Sequence, residues 1–412
     1  MRGLIDPIGI LVFAITYVLI SARRLSFLNI DRPAAALFGA VLCVVTRLLT
    51  PTQAGQAVDG STLLLLFGVM GMGACLSVDG FFDDMESNLV RIALTPRRLL
   101  GFIVWGAGSL SSLITNDAIC VLGAPLVVRM IRRHALPPLP FLLALATAAN
   151  TGSAATLVGN PQNMLCAMLG RLSYREHLLL VGPVALGGLA INHALLLVLF
   201  RGDLSGRLTQ RHDGRPWLTR RTSITLGVIM ATVVGYMLGA HLAWAAAAGF
   251  VAMMLLHRRD TRELWSRIDW SVLLFFAGLF VVVDGFVRSG GPAWLFGRFP
   301  ISGINRGLSG SLILATTFLV GSNVVSNVPF ILVVKDQMLT LADPSLGWEL
   351  LAMASTFAGN LTLLGSVANI IVAENARDLG GIGFFAYLRV GLPVAITTTL
   401  FGTIYVWAMW GG

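Results

Sequence analysis

The sequence predicts an all-α polytopic membrane protein built as two inverted repeats, each holding a re-entrant helical hairpin and a broken transmembrane helix. Three observations lead there. Apolar runs of membrane-crossing length recur from end to end of a 412-residue chain that is 56% hydrophobic and 12% charged, which excludes an ordinary soluble domain. Two of those runs are interrupted by a hydroxyl residue followed by Asn, in Ser112-Leu-Ile-Thr-Asn-Asp117 and, half a chain later, Asn323-Val-Val-Ser-Asn-Val-Pro329. Irregular backbone at membrane depth is tolerated only where protein or a water-filled cavity covers it, so matched interruptions in two halves point to a transporter's binding site. The third observation is that arginines gather between alternate runs.

Taken in order, residues 8–20, 34–50 and 61–78 read as the first spans, the first of them short. Met1 to Pro7 is too brief and mixed for a secretory signal, and the first run leads straight to Arg23-Arg24, which makes it a retained helix. Pro96 then closes an interfacial stretch carrying Asp83, Asp84, Glu86, Arg91, Arg97 and Arg98. Residues 99–115 and 118–131 are apolar halves joined at Asn116-Asp117, and both outer ends are basic: Arg97-Arg98 on one side, Arg129, Arg132 and Arg133 on the other. Both ends therefore face one compartment, which defines a re-entrant hairpin over 99–131.

A helix from Leu139 to Ala149 meets Asn150-Thr-Gly-Ser-Ala-Ala-Thr-Leu-Val-Gly-Asn-Pro-Gln-Asn163. Its small and polar centre ends on Asn160-Pro161, an N-cap followed by proline at the first helical position, so 139–170 is a broken helix. Residues 178–200 recross to a loop at 201–221 with six arginines, the clearest boundary in the chain. Spans at 222–240 and 242–256 lead to a second basic loop at 257–269. The second half then repeats the first: a hairpin over 308–340 around Ser326-Asn327, and a broken helix over 349–377 interrupted at Gly359-Asn-Leu-Thr-Leu-Leu-Gly-Ser366. Thr362-Leu-Leu-Gly365 matches Thr156-Leu-Val-Gly159, Asn369 matches Asn163, and residues 388–407 close the chain. The organisation is thus N-terminal scaffold helices in 1–60, repeat one in 61–200, the Arg-rich loop in 201–221, linking helices and a basic loop in 222–269, and repeat two in 270–412.

The net charge is +9, and 28 of the 29 cationic side chains are arginine. Threading the spans puts 21 of them on one side and seven on the other, with Arg47 near a helix end. That is the positive-inside pattern rather than a nucleic-acid surface. It makes the richer side cytoplasmic, leaves both termini outside, and sends the first hairpin in from the cytoplasm and the second from outside. The repeats are then inverted, the architecture from which alternating access follows.

A helix cut at the membrane centre turns its orphan backbone groups and dipole end into the gap, where N-terminal ends attract anions and exposed carbonyl or amide oxygens coordinate cations. Second hairpin arms begin at Asp117 and Val328, and second broken-helix halves near Asn160 and Ser366. Four helix N-termini therefore converge, and such a site binds an oxyanion without a buried Lys or Arg, which the breaks lack; the only lysine, Lys335, lies toward the outer end of a hairpin arm. The candidate substrate and ion ligands are Thr115, Asn116, Asp117, Asn150, Thr151, Gly159, Asn160, Asn163, Ser326, Asn327, Asn360, Thr362, Gly365, Ser366 and Asn369. The amides can instead simply bond helix to helix, but their pairing across the repeats favours a site. Asp117 is the one acid at a break, and Val328 replaces it in repeat two; an intramembrane carboxylate points to proton or cation coupling, although an N-cap role accounts for it as well. Na+ at Asn116 and Asn327 is the one metal ion the pattern allows. There is no metal-spaced His/Cys cluster, phosphate loop or nucleophile elbow, so the expectation is a protein that is neither an enzyme nor a cofactor carrier. Any ATPase would be a separate subunit.

Thr115-Asn-Asp-Ala-Ile-Cys-Val-Leu-Gly-Ala-Pro125, the 149–163 stretch and 359–369 resemble the ion transporter superfamily. The likeness is greatest to its arsenite/antimonite permeases and related anion permeases, and the silicon-efflux transporters are similar at Gly159-Asn-Pro-Gln-Asn163. The resemblance implies a scaffold domain and a transport domain with two hairpins, often dimeric, working by elevator-like or rocking motion in a bacterial cytoplasmic (inner) membrane. In the superfamily's dicarboxylate carriers, Ser-Asn-Thr tips bind sodium and a substrate carboxylate. The matching positions here are Thr115-Asn116-Asp117 and Ser326-Asn327-Val328, so the third residue departs in both copies and the expectation moves from sodium to proton coupling through Asp117. Sodium/proton antiporters of the superfamily also carry Asn-Asp in the first hairpin, which keeps that activity as the alternative, with Na+-coupled anion or dicarboxylate uptake. The reading is a secondary transporter of a small inorganic oxyanion or its neutral hydroxide, arsenite-like, driven by H+. Cys43, Cys75, Cys120 and Cys166 sit in apolar segments with no disulfide spacing; thiols bind arsenite, so Cys120 and Cys166 are candidate ligands, though packing explains them more simply.

Overall fold

The structure, a computed structural model, describes residues 6–21, 30–208, 218–258, 260–298, 300–301 and 307–411. Met1 to Ile5, Arg23-Arg24 and the 209–217 part of the Arg-rich loop lie outside the described residues. Helix starts follow from local chemistry. After α1 (Pro7–Ser21), the Asp31 carboxylate accepts from the Ala34 amide at 2.9 Å to open α2 (Arg32–Val45), with Pro33 in the first turn. Thr50 and Gln53 cap each other reciprocally at the head of α3 (Pro51–Ala57), and Asp59 caps α4 (Gly60–Val78). Each cap satisfies backbone donors that a first helical turn leaves orphaned. The expected span at 34–50 is therefore cut short: α2 stops at Val45, Arg47 turns the chain at φ 60°, and α3 fills the connection.

The rest of the first half is α5 (Phe81–Ala93), α6 (Pro96–Leu113), α7 (Asn116–His134), α8 (Pro138–Ser153), α9 (Pro161–Gly170) and α10 (Tyr174–Leu199). The second half contains α11 (Arg220–Met237), α12 (Leu242–His257), α13 (Thr261–Trp265), α14 (Trp270–Arg288), α15 (Gly291–Arg298), α16 (Gly307–Val325), α17 (Asn327–Val334), α18 (Pro344–Ala358), α19 (Val367–Asn375) and α20 (Phe384–Gly411). No strand occurs among the described residues. α4, α10, α14, α16 and α20 are long and apolar enough to cross a membrane. The hairpins are α6–α7 and α16–α17, the broken helices α8–α9 and α18–α19. The second arm of the later hairpin is helical only to Val334 and continues as 3-10 turns over Lys335–Thr340. Pro183 and Pro393 lie inside α10 and α20, the continuous helices that close the two halves.

Two bundles result. In one, α2 packs on α1 and α14, and α4 packs on α11 and α12; in the other, α6 and α7 pack on α8, α16 on α18, α10 on α20 and α19 on α7. They meet where α4 touches α7 and α9, where α14 touches α17, and where α10 touches α11. Lipid supplies no hydrophobic drive for helix association, so close backbone approach through small residues does much of the joining. α6 crosses α8 where a Cβ on Gly152 would lie 2.2 Å from the Gly108 carbonyl oxygen. Gly152→Val should therefore cost about 3 kcal/mol or more through forced separation of the helices, seen as a large drop in melting temperature of the purified protein. Gly106→Ala on α6, where a Cβ meets nothing within 4 Å, should leave the melting temperature unchanged or slightly raised.

Candidate solute-binding site

The sequence places an N-cap at Asn160 and allows one at Asp117; the structure keeps the first but caps α7 with Thr115, leaving Asp117 inside the first turn. Thr115 Oγ1 accepts from the Ala118 amide at the head of α7, Asn160 Oδ1 from the Asn163 amide at the head of α9, and Ser366 Oγ from the Ala368 amide at the head of α19. At the head of α17, Ser326 makes no such bond and sits at φ 73°, ψ 145°, a conformation suited to glycine. The two hairpin tips are thus unequal: the first is capped and tied by its Asn116 amide to the Gly159 carbonyl at 2.9 Å, the second is strained.

The breaks are joined by a lattice of buried amides. The Asn369 amide nitrogen donates to the Gly359 carbonyl at 2.7 Å, which fixes that side chain's orientation and leaves its Oδ1 as acceptor. Asn150 Nδ2 donates to Asn369 Oδ1 at 2.9 Å and to Asn360 Oδ1 at 3.1 Å, so Asn150 Oδ1 is in turn an acceptor. It receives Asn116 Nδ2 at 2.9 Å and the Ser366 hydroxyl at 3.0 Å. Asn116 must therefore present Oδ1 to the other side, and there that buried atom has no partner. Asn327 Oδ1 is likewise buried without a partner. The lattice has a counterpart from the other repeat: the Thr356 hydroxyl donates to Asn163 Oδ1 at 2.8 Å, and Asn163 Nδ2 donates to the Thr156 carbonyl at 2.9 Å.

Both unpartnered oxygens belong to residues that line one small cavity of about 70 Å³. All four second-half helix starts reach it: Asn116 and Asp117 of α7, Pro161 and Gln162 of α9, Asn327 and Val328 of α17, Ser366 and Val367 at α19, with Ser326 and Gly365 beside them. Phe275 and Phe276 of α14 form an apolar wall. A wider cavity of about 400 Å³ shares Asp117, Pro161, Val272 and Val367 with the small one and runs past Thr115 to Ser266, Arg267 and Asp269. Asp117 is half-buried on the wall common to both, with the Ala368 backbone N–H in hydrogen-bonding reach and Arg32 and Asp269 as its charged neighbours.

Of the expected ligands, Thr115, Asn116, Asp117, Ser326, Asn327, Gly365 and Ser366 line these cavities. Asn150, Thr151, Asn160, Asn163, Asn360 and Asn369 are spent on the lattice behind them. Thr362 donates to Asn323 Oδ1 at 3.3 Å, and Gly159 supplies the carbonyl that holds Asn116. Cys120 and Cys166 are fully buried and line neither cavity. The expectation of a site without arginine is corrected: Arg32, at the head of α2, lines the small cavity. In the sequence it reads as one more loop charge, and nothing there marks it, Gln162 or Asp269 for the site.

Replacing Asn150 by Ala should strand donors and acceptors on Asn116, Asn360, Asn369 and Ser366 at once and cost about 3 kcal/mol or more, measurable as a large fall in thermal stability. Ser326→Gly should raise stability by about 1 kcal/mol by releasing the positive φ, whereas Thr115→Gly should lower it by several tenths through loss of the cap. Melting curves of the two variants should shift in opposite directions.

Comparison with known proteins agrees with the architecture. The chain is 30% identical to the silicon efflux transporter LSI3 of Oryza sativa subsp. japonica, over 96% of each chain. It is 26% identical to a transporter named arsB of Dictyostelium discoideum, over 95% of this chain and 90% of that one. Its fold matches the crystal structure of the Alcanivorax borkumensis YdaH transporter, which has an unusual topology, with a TM-score of 0.54 over 98% of each chain at 15% identity. Residues 17–358 match the citrate transporter family, CitMHS: the chain belongs to that family and is a membrane transporter, not an enzyme.

Proposed function

We propose that the chain is a secondary active transporter of a small inorganic oxyanion or its neutral hydroxide, of the arsenite or silicate kind, coupled to protons and working by alternating access. The observation that carries this is the pair of unpartnered amide oxygens, on Asn116 and Asn327, at one cavity of about 70 Å³. Oriented acceptors ask for a solute that brings hydrogens, as the O–H groups of a metalloid hydroxide do. Helix starts and the Arg32 guanidinium supply donors for its remaining oxygens. A bare, fully ionised oxyanion offers the two amide oxygens nothing. The names of the LSI3 and arsB relatives support the same substrate class.

The wider cavity leads from the first tip toward the 257–269 loop, on the arginine-rich side that the charge rule makes cytoplasmic. We read the conformation as open to the cytoplasm, with the repeats inverted and Asp117 as the group that takes up and releases the coupling proton. Two amide oxygens also suit a sodium ion, so a sodium/proton antiporter is the rival. A stabilisation screen of purified protein with arsenite, antimonite, silicate, phosphate, sulfate, dicarboxylates and Na+ decides between them: a melting shift with the hydroxides supports the proposal, and a shift with Na+ alone overturns it. Asn116→Ala and Asn327→Ala should each weaken the effective solute at least tenfold in the same assay. Asp117→Asn should flatten the pH dependence of transport in proteoliposomes while leaving solute binding measurable.

A further inference from the structure

His177 and Glu349 form a buried pair that the solute site does not use. His177 lies in the first turn of α10, in the first repeat, and Glu349 in the second turn of α18, in the second repeat; their side chains are 0% and 2% exposed. Nδ1 of the imidazole is 2.5 Å from Glu349 Oε2, and Nε2 is 3.0 Å from the Ala154 carbonyl oxygen at the first break. A carbonyl oxygen only accepts, so Nε2 carries a hydrogen. A second hydrogen must then lie between Nδ1 and Oε2, because a nitrogen lone pair against a carboxylate oxygen at that separation is repulsive. The pair is therefore either imidazolium with carboxylate or neutral imidazole with carboxylic acid. Both hold one proton more than a neutral ring beside an ionised acid. A cationic ring at the C-terminal end of α8 also meets the negative end of that helix dipole, which favours the ion pair.

We propose that His177 and Glu349 constitute a proton-binding site, loaded in this conformation and separate from Asp117. The wide cavity runs along α19, beyond the second break, whereas Glu349 lies on α18, before it. The pair is thus placed to exchange its proton with the opposite compartment when the solute site turns that way, a step that rests on the transport reading. Other groups near the pair are few. The buried Cys166 of α9 lies within electrostatic reach of Glu349, and Tyr174, one turn before His177, packs against Tyr236 of α11 with ring centres 5.1 Å apart. Arg171, Arg175 and Glu176 are exposed, as is Asp336, and half-buried Lys335 stands with it in the 3-10 segment against α18. On α20, Tyr387 is buried beside Cys120 rather than the pair, Arg389 is exposed and Tyr405 is half-buried.

The test has two arms. In purified wild-type protein labelled with ¹⁵N-histidine and ¹³C-glutamate, magnetic resonance should show His177 with hydrogen on both ring nitrogens, or Glu349 as carboxylic acid; a singly protonated ring beside an ionised Glu349 overturns the site. In proteoliposomes supplied with arsenite, E349Q keeps a hydrogen for Nδ1 but has no exchangeable charge, and should move one proton fewer per solute than wild type with a flattened dependence on pH. An unchanged proton count and pH profile in E349Q, or in H177Q should E349Q fail to fold, overturns the coupling step. If wild-type protein moves no arsenite, the transport reading fails, and the labelled spectra still decide the proton.

Discussion

Everything in this structure follows from the need to satisfy backbone groups where helices end inside a membrane. Lipid offers no hydrogen bonds there, and each unpaired carbonyl or amide costs several kcal/mol. The chain answers with side-chain amides. Asn150 sits at the crossing point, because one amide group donates twice and accepts twice and so engages Asn116, Asn360, Asn369 and Ser366 together. Asn163 and Asn369 turn back onto carbonyls of their own breaks. The two halves of the chain are thereby held by hydrogen bonds at the depth where a membrane protein has least else to hold it.

The same lattice determines what the cavity offers. Orientation passes from the Gly359 carbonyl through Asn369 and Asn150 to Asn116, and it ends in an oxygen with nothing to accept from. A residue that looks like a ligand in the sequence can therefore be a support, as Asn150 and Asn360 are, while the last amide in the chain of bonds, Asn116, keeps an acceptor unspent. The hairpin tips share this role unequally. Thr115 caps its helix and the next residue, Asn116, is anchored through its backbone N–H to Gly159, whereas Ser326 stores strain and has Val328 where the first tip has Asp117. The second tip is the less constrained of the two.

Charge is placed sparingly and on both sides of the breaks. Asp117 faces the cavities with Arg32 and Asp269 near it, and the His177–Glu349 pair lies on the far side, sealed from solvent. Near the end of α4, Asp79 accepts from Thr225 at 2.5 Å and stands 3.6 Å from His257, binding α4, α11 and α12. Asp79 stands before Gly80 in the sequence, and the fold gives it a buried partner set.

Hydropathy, the two hydroxyl-Asn interruptions and the Asn-Pro cap decided the helix content, the hairpins and the broken helices from the sequence alone, because those are local consequences of apolar length, capping and backbone breakage. The Asn and Ser positions at the breaks were legible for the same reason. What the sequence could not decide was which amides spend their capacity on one another and which face the cavity, since that depends on atoms brought together from residues over 200 positions apart. Arg32 entering the site and His177 meeting Glu349 were equally out of reach: each is one polar residue near a helix end until packing sets the distances that give it a role.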